Sequence, residues 1–160
     1  MNNYWCNLLN TNAMNGQPNP ARLIAMIAMI VLCFSLGVFW YHFPKPIGFK
    51  RNERLLIQIS GMVPMIFAIL IFTDFHDIVI DIASLSGLIA LTGTFIGLFR
   101  LKWIKLVWLG GFNVLLILVN NILYYGHDMK LYLPIIQKIT FISFLFWICL
   151  ININLYRKQD

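Results

Sequence analysis

The stretch Thr73–Arg100, TDFHDIVIDIASLSGLIALTGTFIGLFR, decides the fold. It opens on an acidic and histidine cluster (Asp74, His76, Asp77, Asp81), runs uncharged to Phe99 and closes on Arg100. About 20 consecutive apolar residues suffice for a helix to cross a ~30 Å hydrocarbon core, and this run is long enough. Ala83, Ser86, Gly87, Ala90, Gly93, Thr94 and Gly97 recur at spacings of three and four, which puts them on one helical face. Small residues on one face let helix backbones approach closely in lipid. The stretch therefore predicts a central packing helix of a polytopic membrane protein, with a polar mouth at its start. Ala83, Gly87, Ala90, Gly93 and Gly97 are its packing positions, and the Gly93/Gly97 face is also the one that would serve a homodimer.

The rest of the chain agrees. Of its 160 residues, 60% are hydrophobic and 11% charged, against about 25% charged in an average soluble domain. The net charge of +6 suggests nucleic acid as a partner. The cations, however, stand in short clusters between apolar runs, as membrane topology requires, so the partner is the lipid bilayer and not nucleic acid. Cys6, Cys33 and Cys149 are too scattered for a disulfide framework. Residues 1–21 carry no basic segment of the secretory-signal type.

Residues 1–20 are uncharged and Asn-rich, ending in a Gly-Gln-Pro-Asn-Pro turn; they read as an extracytoplasmic segment. The transmembrane bundle occupies 21–155, with spans at 21–41, 55–73, 78–99, 103–125 and 131–155, and 156–160 form a cytoplasmic tail. Pro64 predicts a bend in the second span, because it removes one intrahelical hydrogen bond. Trp40 and Tyr41 read as interfacial anchors of the first. The fold class is all-α: a helical bundle of five transmembrane helices. Lys45, Lys50, Arg51, Arg54, Arg100, Lys102, Lys105, Arg157 and Lys158 fall on one side, whereas the other holds Arg22, Lys130 and Lys138. The positive-inside rule then puts the N-terminus outside and the C-terminus in the cytoplasm.

Asn19-Pro20-Ala21-Arg22 opening a span, an acidic-His turn before a small-residue helix, and a last span with Gln137-Lys138 at its start and Trp147 inside carry a resemblance. The pattern resembles the prokaryotic membrane family called domain of unknown function 998 and the related DRAM/Sfk-type proteins. The resemblance covers residues 4–158 and implies a bacterial cytoplasmic membrane and a six-helix fold. Cys6-Asn7-Leu8-Leu9 stands where the family has a Ser-Asp-Leu-Gly-like turn. The expectation is a member lacking its first helix, or a reading frame that begins upstream of Met1.

Three functions stay open. The first is non-enzymatic lipid handling or sensing, which the resemblance implies and which needs no cofactor. The second is a membrane-embedded metal-dependent hydrolase on the outer face. Its catalytic and divalent-metal candidates are His76, Asp77, His127 and Asp128, since imidazole and carboxylate together suit such an ion and the ion would activate a water. The third is a small transporter or proton-coupled subunit around Asp81, which lies one turn, about 5 Å, past Asp77. A carboxylate there needs a partner or a wet cavity; His76, Asn120, Asn121 and Lys138 are its candidate partners. Asn113 and Asn120, seven apart on one face, predict interhelical hydrogen bonds. Against these stand plain structural readings: polar turns touch headgroups, and Asp77 suits the first turn of its helix.

The orientation has a direct check. Cysteines placed at Lys50 and Arg100 are expected to be shielded from a membrane-impermeant maleimide in intact cells, and labelling of either from outside contradicts it.

Overall fold

The computed structural model of the chain describes residues 10–13, 16–68, 76–126 and 131–159, with the side chains of 76–81 and 159 outside that description. Among the described residues there are five α-helices: α1 (Arg22–His42), α2 (Arg51–Phe67), α3 (His76–Arg100), α4 (Ile104–Tyr125) and α5 (Leu133–Gln159). Among the same residues the one β-type pairing is an isolated bridge between Asn12 and Pro18. An all-α architecture follows from the solvent: in hydrocarbon no water can take a backbone N–H or C=O, so each must be bonded within its own helix.

Four of these helices, α1, α3, α4 and α5, are long and apolar enough to cross a membrane. α2 is 17 residues long and is capped at Ala68; residues 69–73 of the span expected at 55–73 lie outside the described residues. The outward sides stay apolar. Phe34 is 74% exposed, Ile24 71% and Trp108 77%, a surface that lipid solvates and water does not. The chain is an integral membrane protein.

The helices divide into two compact units, Met29–Val107 with Asn152–Asp160, and Met1–Ala28 with Trp108–Ile151. In the first, α2 and α3 pack most extensively. The contact works because α3 carries no side chain where α2 and the segment before it press closest. A Cβ added at Gly93 would collide with Ile57. One added at Gly97 would stand 2.9 Å from Phe43 Cζ and 3.0 Å from Ile47 Cδ1. At Gly87 it would meet Pro64 Cγ at an ordinary 3.9 Å. Ala90, between them, is fully buried. Gly93 thus receives the chain's own Ile57, and Gly97 its Phe43 and Ile47.

α1 joins this unit through an aromatic corner. Phe39, Trp40 and Phe43 are buried, with Phe39 4.9 Å from Trp40 and 5.3 Å from Phe43 between ring centroids. Trp40 presses on Gly61 of α2, where a Cβ would clash with its ring. Trp40 is therefore a core residue, whereas the sequence marks it as an interfacial anchor: Gly61 opens a slot that an indole fills. Tyr41 keeps the exposed role, with Lys45 Nζ 3.6 Å from its ring centroid. Pro64 lies inside α2, which continues to Phe67.

The loop expected over 42–54 is largely structured. A 3-10 turn at Lys45–Ile47 ends on Gly48 in the left-handed region (φ 74), and α2 starts at Arg51, earlier than expected. Glu53 explains the early start: its Oε2 accepts from the Lys50 backbone N–H at 3.1 Å, satisfying one of the orphan donors at a helix N-terminus. The same oxygen accepts from Arg100 Nη2 at 3.3 Å, so the start of α2 is tied to the end of α3. α3 then closes with paired bonds, Trp103 N–H to Leu98 O and Lys102 N–H to Phe99 O, both 3.0 Å. This is a Schellman cap, with Lys102 (φ 58) at the left-handed position where glycine is usual.

Gly61→Val is expected to destabilise the protein by about 1–3 kcal/mol through overpacking against Trp40. Gly111→Ala, where nothing lies within 4 Å of the added carbon, is expected to leave stability unchanged or raised. Thermal unfolding in detergent micelles measures both.

Candidate functional site

Function in a membrane helix is sought first at polar side chains, because lipid makes them costly to keep. In the unit containing Trp108–Ile151, four converge where α4 ends and α5 begins. Asn120 and Asn121 lie about one and a half turns before the end of α4; Gln137 and Thr140 lie in the first two turns of α5. At 1.5 Å per residue this is roughly 6–10 Å inside each helix end.

The two helices are bridged by Asn120, whose Nδ2 donates to Thr140 Oγ1 at 2.5 Å and to Leu116 O of its own helix at 2.9 Å. Thr140 in turn donates to Ile136 O at 2.8 Å. Asn121 Nδ2 donates to Ile117 O at 3.2 Å. These donors are used; two acceptors are not. Asn120 Oδ1 and Gln137 Oε1 are buried without a hydrogen-bond partner. An unmade hydrogen bond at a buried polar group costs about 1–3 kcal/mol, so each oxygen is a standing demand for an N–H or O–H donor.

Both residues line a groove of about 370 Å³ together with Asn121 and Thr140 on the polar side and Ile117, Phe141 and Phe144 on the apolar side. Its size lies in the range of small-molecule sites. Its chemistry is two-sided: amide and hydroxyl groups along one part, aromatic and aliphatic carbon along the rest. Such a groove suits an amphipathic molecule with a donor-bearing polar end and an apolar body.

The expected pairing of Asn113 resolves differently. Asn113 is buried, but its Nδ2 donates to Leu109 O within α4 at 2.9 Å and its Oδ1 has no partner. Asn120 does make the interhelical bond, and Thr140 is the partner that sequence reasoning misses. A threonine among apolar residues near a helix start carries no signal of its own.

The sequence-derived acidic and histidine candidates divide by description. Asp74, His127 and Asp128 lie outside the described residues. His76, Asp77 and Asp81 are placed by their backbone in the first two turns of α3, and their side chains lie outside the description. Among the described residues no group of three His, Cys, Asp or Glu side chains comes together.

No family model, curated protein or solved structure matches the chain.

Thr140→Val removes the acceptor for Asn120 while keeping the shape. It is expected to destabilise the protein by about 0.6 kcal/mol, the mean value of an interhelical hydrogen bond in lipid. Equilibrium unfolding in mixed micelles reads the change.

Proposed function

We propose that this chain is a non-enzymatic multi-pass membrane protein that holds a lipid or lipid-like amphiphile in the α4–α5 groove. The observation that carries the reading is the pair of buried, unpartnered carbonyl oxygens, Asn120 Oδ1 and Gln137 Oε1, on residues that line a groove otherwise walled by Phe141, Phe144 and Ile117. A headgroup ammonium or hydroxyl would donate to these oxygens after small side-chain rotations, and an acyl chain would lie along the two phenylalanines. Phosphatidylethanolamine, whose ammonium donates, fits this better than phosphatidylcholine, whose quaternary ammonium has no N–H.

A membrane lipid as the ligand is supported by the position of the polar groups within about two turns of the ends of two apolar helices, with the aromatic part of the groove further in. The reading agrees with the family resemblance, which implies lipid handling or sensing in a bacterial cytoplasmic membrane. It takes the cation-rich loops as cytoplasmic, so the groove opens in the outer leaflet. It assigns no reaction and no metal.

The test is lipid retention. Purified in mild detergent and examined by native mass spectrometry, the protein is expected to retain phosphatidylethanolamine in preference to phosphatidylcholine. Gln137→Leu is expected to lower that retention about tenfold, the value of one hydrogen bond to a charged donor. Equal retention by both proteins, or no preference between the two lipids, contradicts the proposal.

A further inference from the structure

Seven cations stand in two short segments of the unit containing Met29–Val107: Lys45, Lys50, Arg51 and Arg54 before and into α2, and Arg100, Lys102 and Lys105 around the α3–α4 turn. Glu53 is the one acid in either segment. Topology alone explains an excess of cations on one side of a membrane. It does not explain their placement within the fold.

Three features of that placement point further. First, Arg100 joins the two segments: it donates to Glu53 Oε2 at 3.3 Å and to Gly48 O at 3.5 Å, and its guanidinium lies 4.4 Å from the Phe49 ring centroid. The two loops are thereby one surface. Second, Arg51, Arg54 and Lys105 occupy the first turns of α2 and α4. A helix N-terminus is positive and disfavours cations, so these charges are mutually unfavourable until an anion arrives. Third, Lys102 sits at φ 58. Left-handed backbone is unfavourable for a non-glycine residue, and at this helix cap a glycine would avoid that cost. The chain keeps a cation there instead, exposed to solvent.

We propose that these joined loops bind the phosphate of an anionic phospholipid headgroup. Arg51, Lys102 and Lys105 are exposed and form no ion pair among the described residues. Exposed apolar residues adjoin them on the same helices: Leu55 (52%) and Leu56 on α2, Phe99 on α3 and Ile104 on α4. They give the acyl chains a surface next to the charges, which a soluble phosphate compound would not use. This site is independent of the α4–α5 groove, and each survives the failure of the other.

The experiment uses the full chain in nanodiscs or micelles, titrated with phosphatidylglycerol, phosphatidylcholine and inorganic phosphate, and read by native mass spectrometry and by melting temperature. Phosphatidylglycerol is expected to bind and to raise the melting temperature, with phosphatidylcholine and inorganic phosphate doing neither. Each cation removed is expected to weaken phosphatidylglycerol binding about fivefold. Arg51→Gln with Lys105→Gln should therefore cost on the order of 25-fold by the same rule. Arg157→Gln with Lys158→Gln, which removes the same charge from the end of α5, should change it less than about twofold. Lys102→Gly separates binding from folding, because it should raise the melting temperature of the lipid-free protein and still weaken phosphatidylglycerol. Equal losses from both double variants, an unchanged affinity in Lys102→Gly, or competition by inorganic phosphate overturns the proposal.

Discussion

Ile57 of α2 presses against α3 at a point where α3 has no side chain, and much of the described core depends on that approach. With a Cβ at position 93 either the Ile57 side chain or the helix would have to shift. Ala90 and Leu98 are both fully buried on the same helix. Gly97 repeats the device one turn later for Phe43 and Ile47. Gly61 mirrors it on α2, where Trp40 is received. In water such packing would add to a hydrophobic driving force. In lipid that force is nearly absent between helices, so close contact itself has to hold them together.

The same solvent explains how polar groups are used. Thr94 and Ser60 are buried in the packed unit, and each hydroxyl donates to its own helix, to Ala90 O at 2.9 Å and Ile57 O at 3.3 Å. They behave as small residues with their polarity silenced. Asn113, Asn120 and Gln137 differ because each keeps a buried amide oxygen without a partner. Of the three, Asn120 and Gln137 also line the α4–α5 groove, and Asn113 does not.

The fold class was legible because period and composition carry it. The small residues of 83–97 share a face at any rotation of the helix, and charged clusters mark span ends. The partners of that face were not legible. Nothing about Ile57 distinguishes it from the exposed Leu56 and Ile59 around it, and Phe43 and Ile47 sit in a Pro-rich segment that reads as a loop. Arg100 reads as a boundary marker, whereas its partners Glu53 and Gly48 lie some fifty residues away in sequence. In the groove, Asn120 and Gln137 were visible as polar residues in apolar runs. Their meeting around Thr140 needed the turn between α4 and α5, which periodicity does not define. The Asp and His candidates at the start of α3 rest on the sequence alone.

Gly93 is small because Ile57 fills its space. A double-mutant cycle tests it most directly, using unfolding free energies of Gly93→Leu, Ile57→Ala and the pair. Overpacking should make Gly93→Leu alone cost about 1–3 kcal/mol. In the pair, the truncated Ile57 should make room for the new side chain and recover much of that loss, with a coupling of about 1 kcal/mol or more. Strict additivity, within about 0.5 kcal/mol, would mean that the two positions do not share that space.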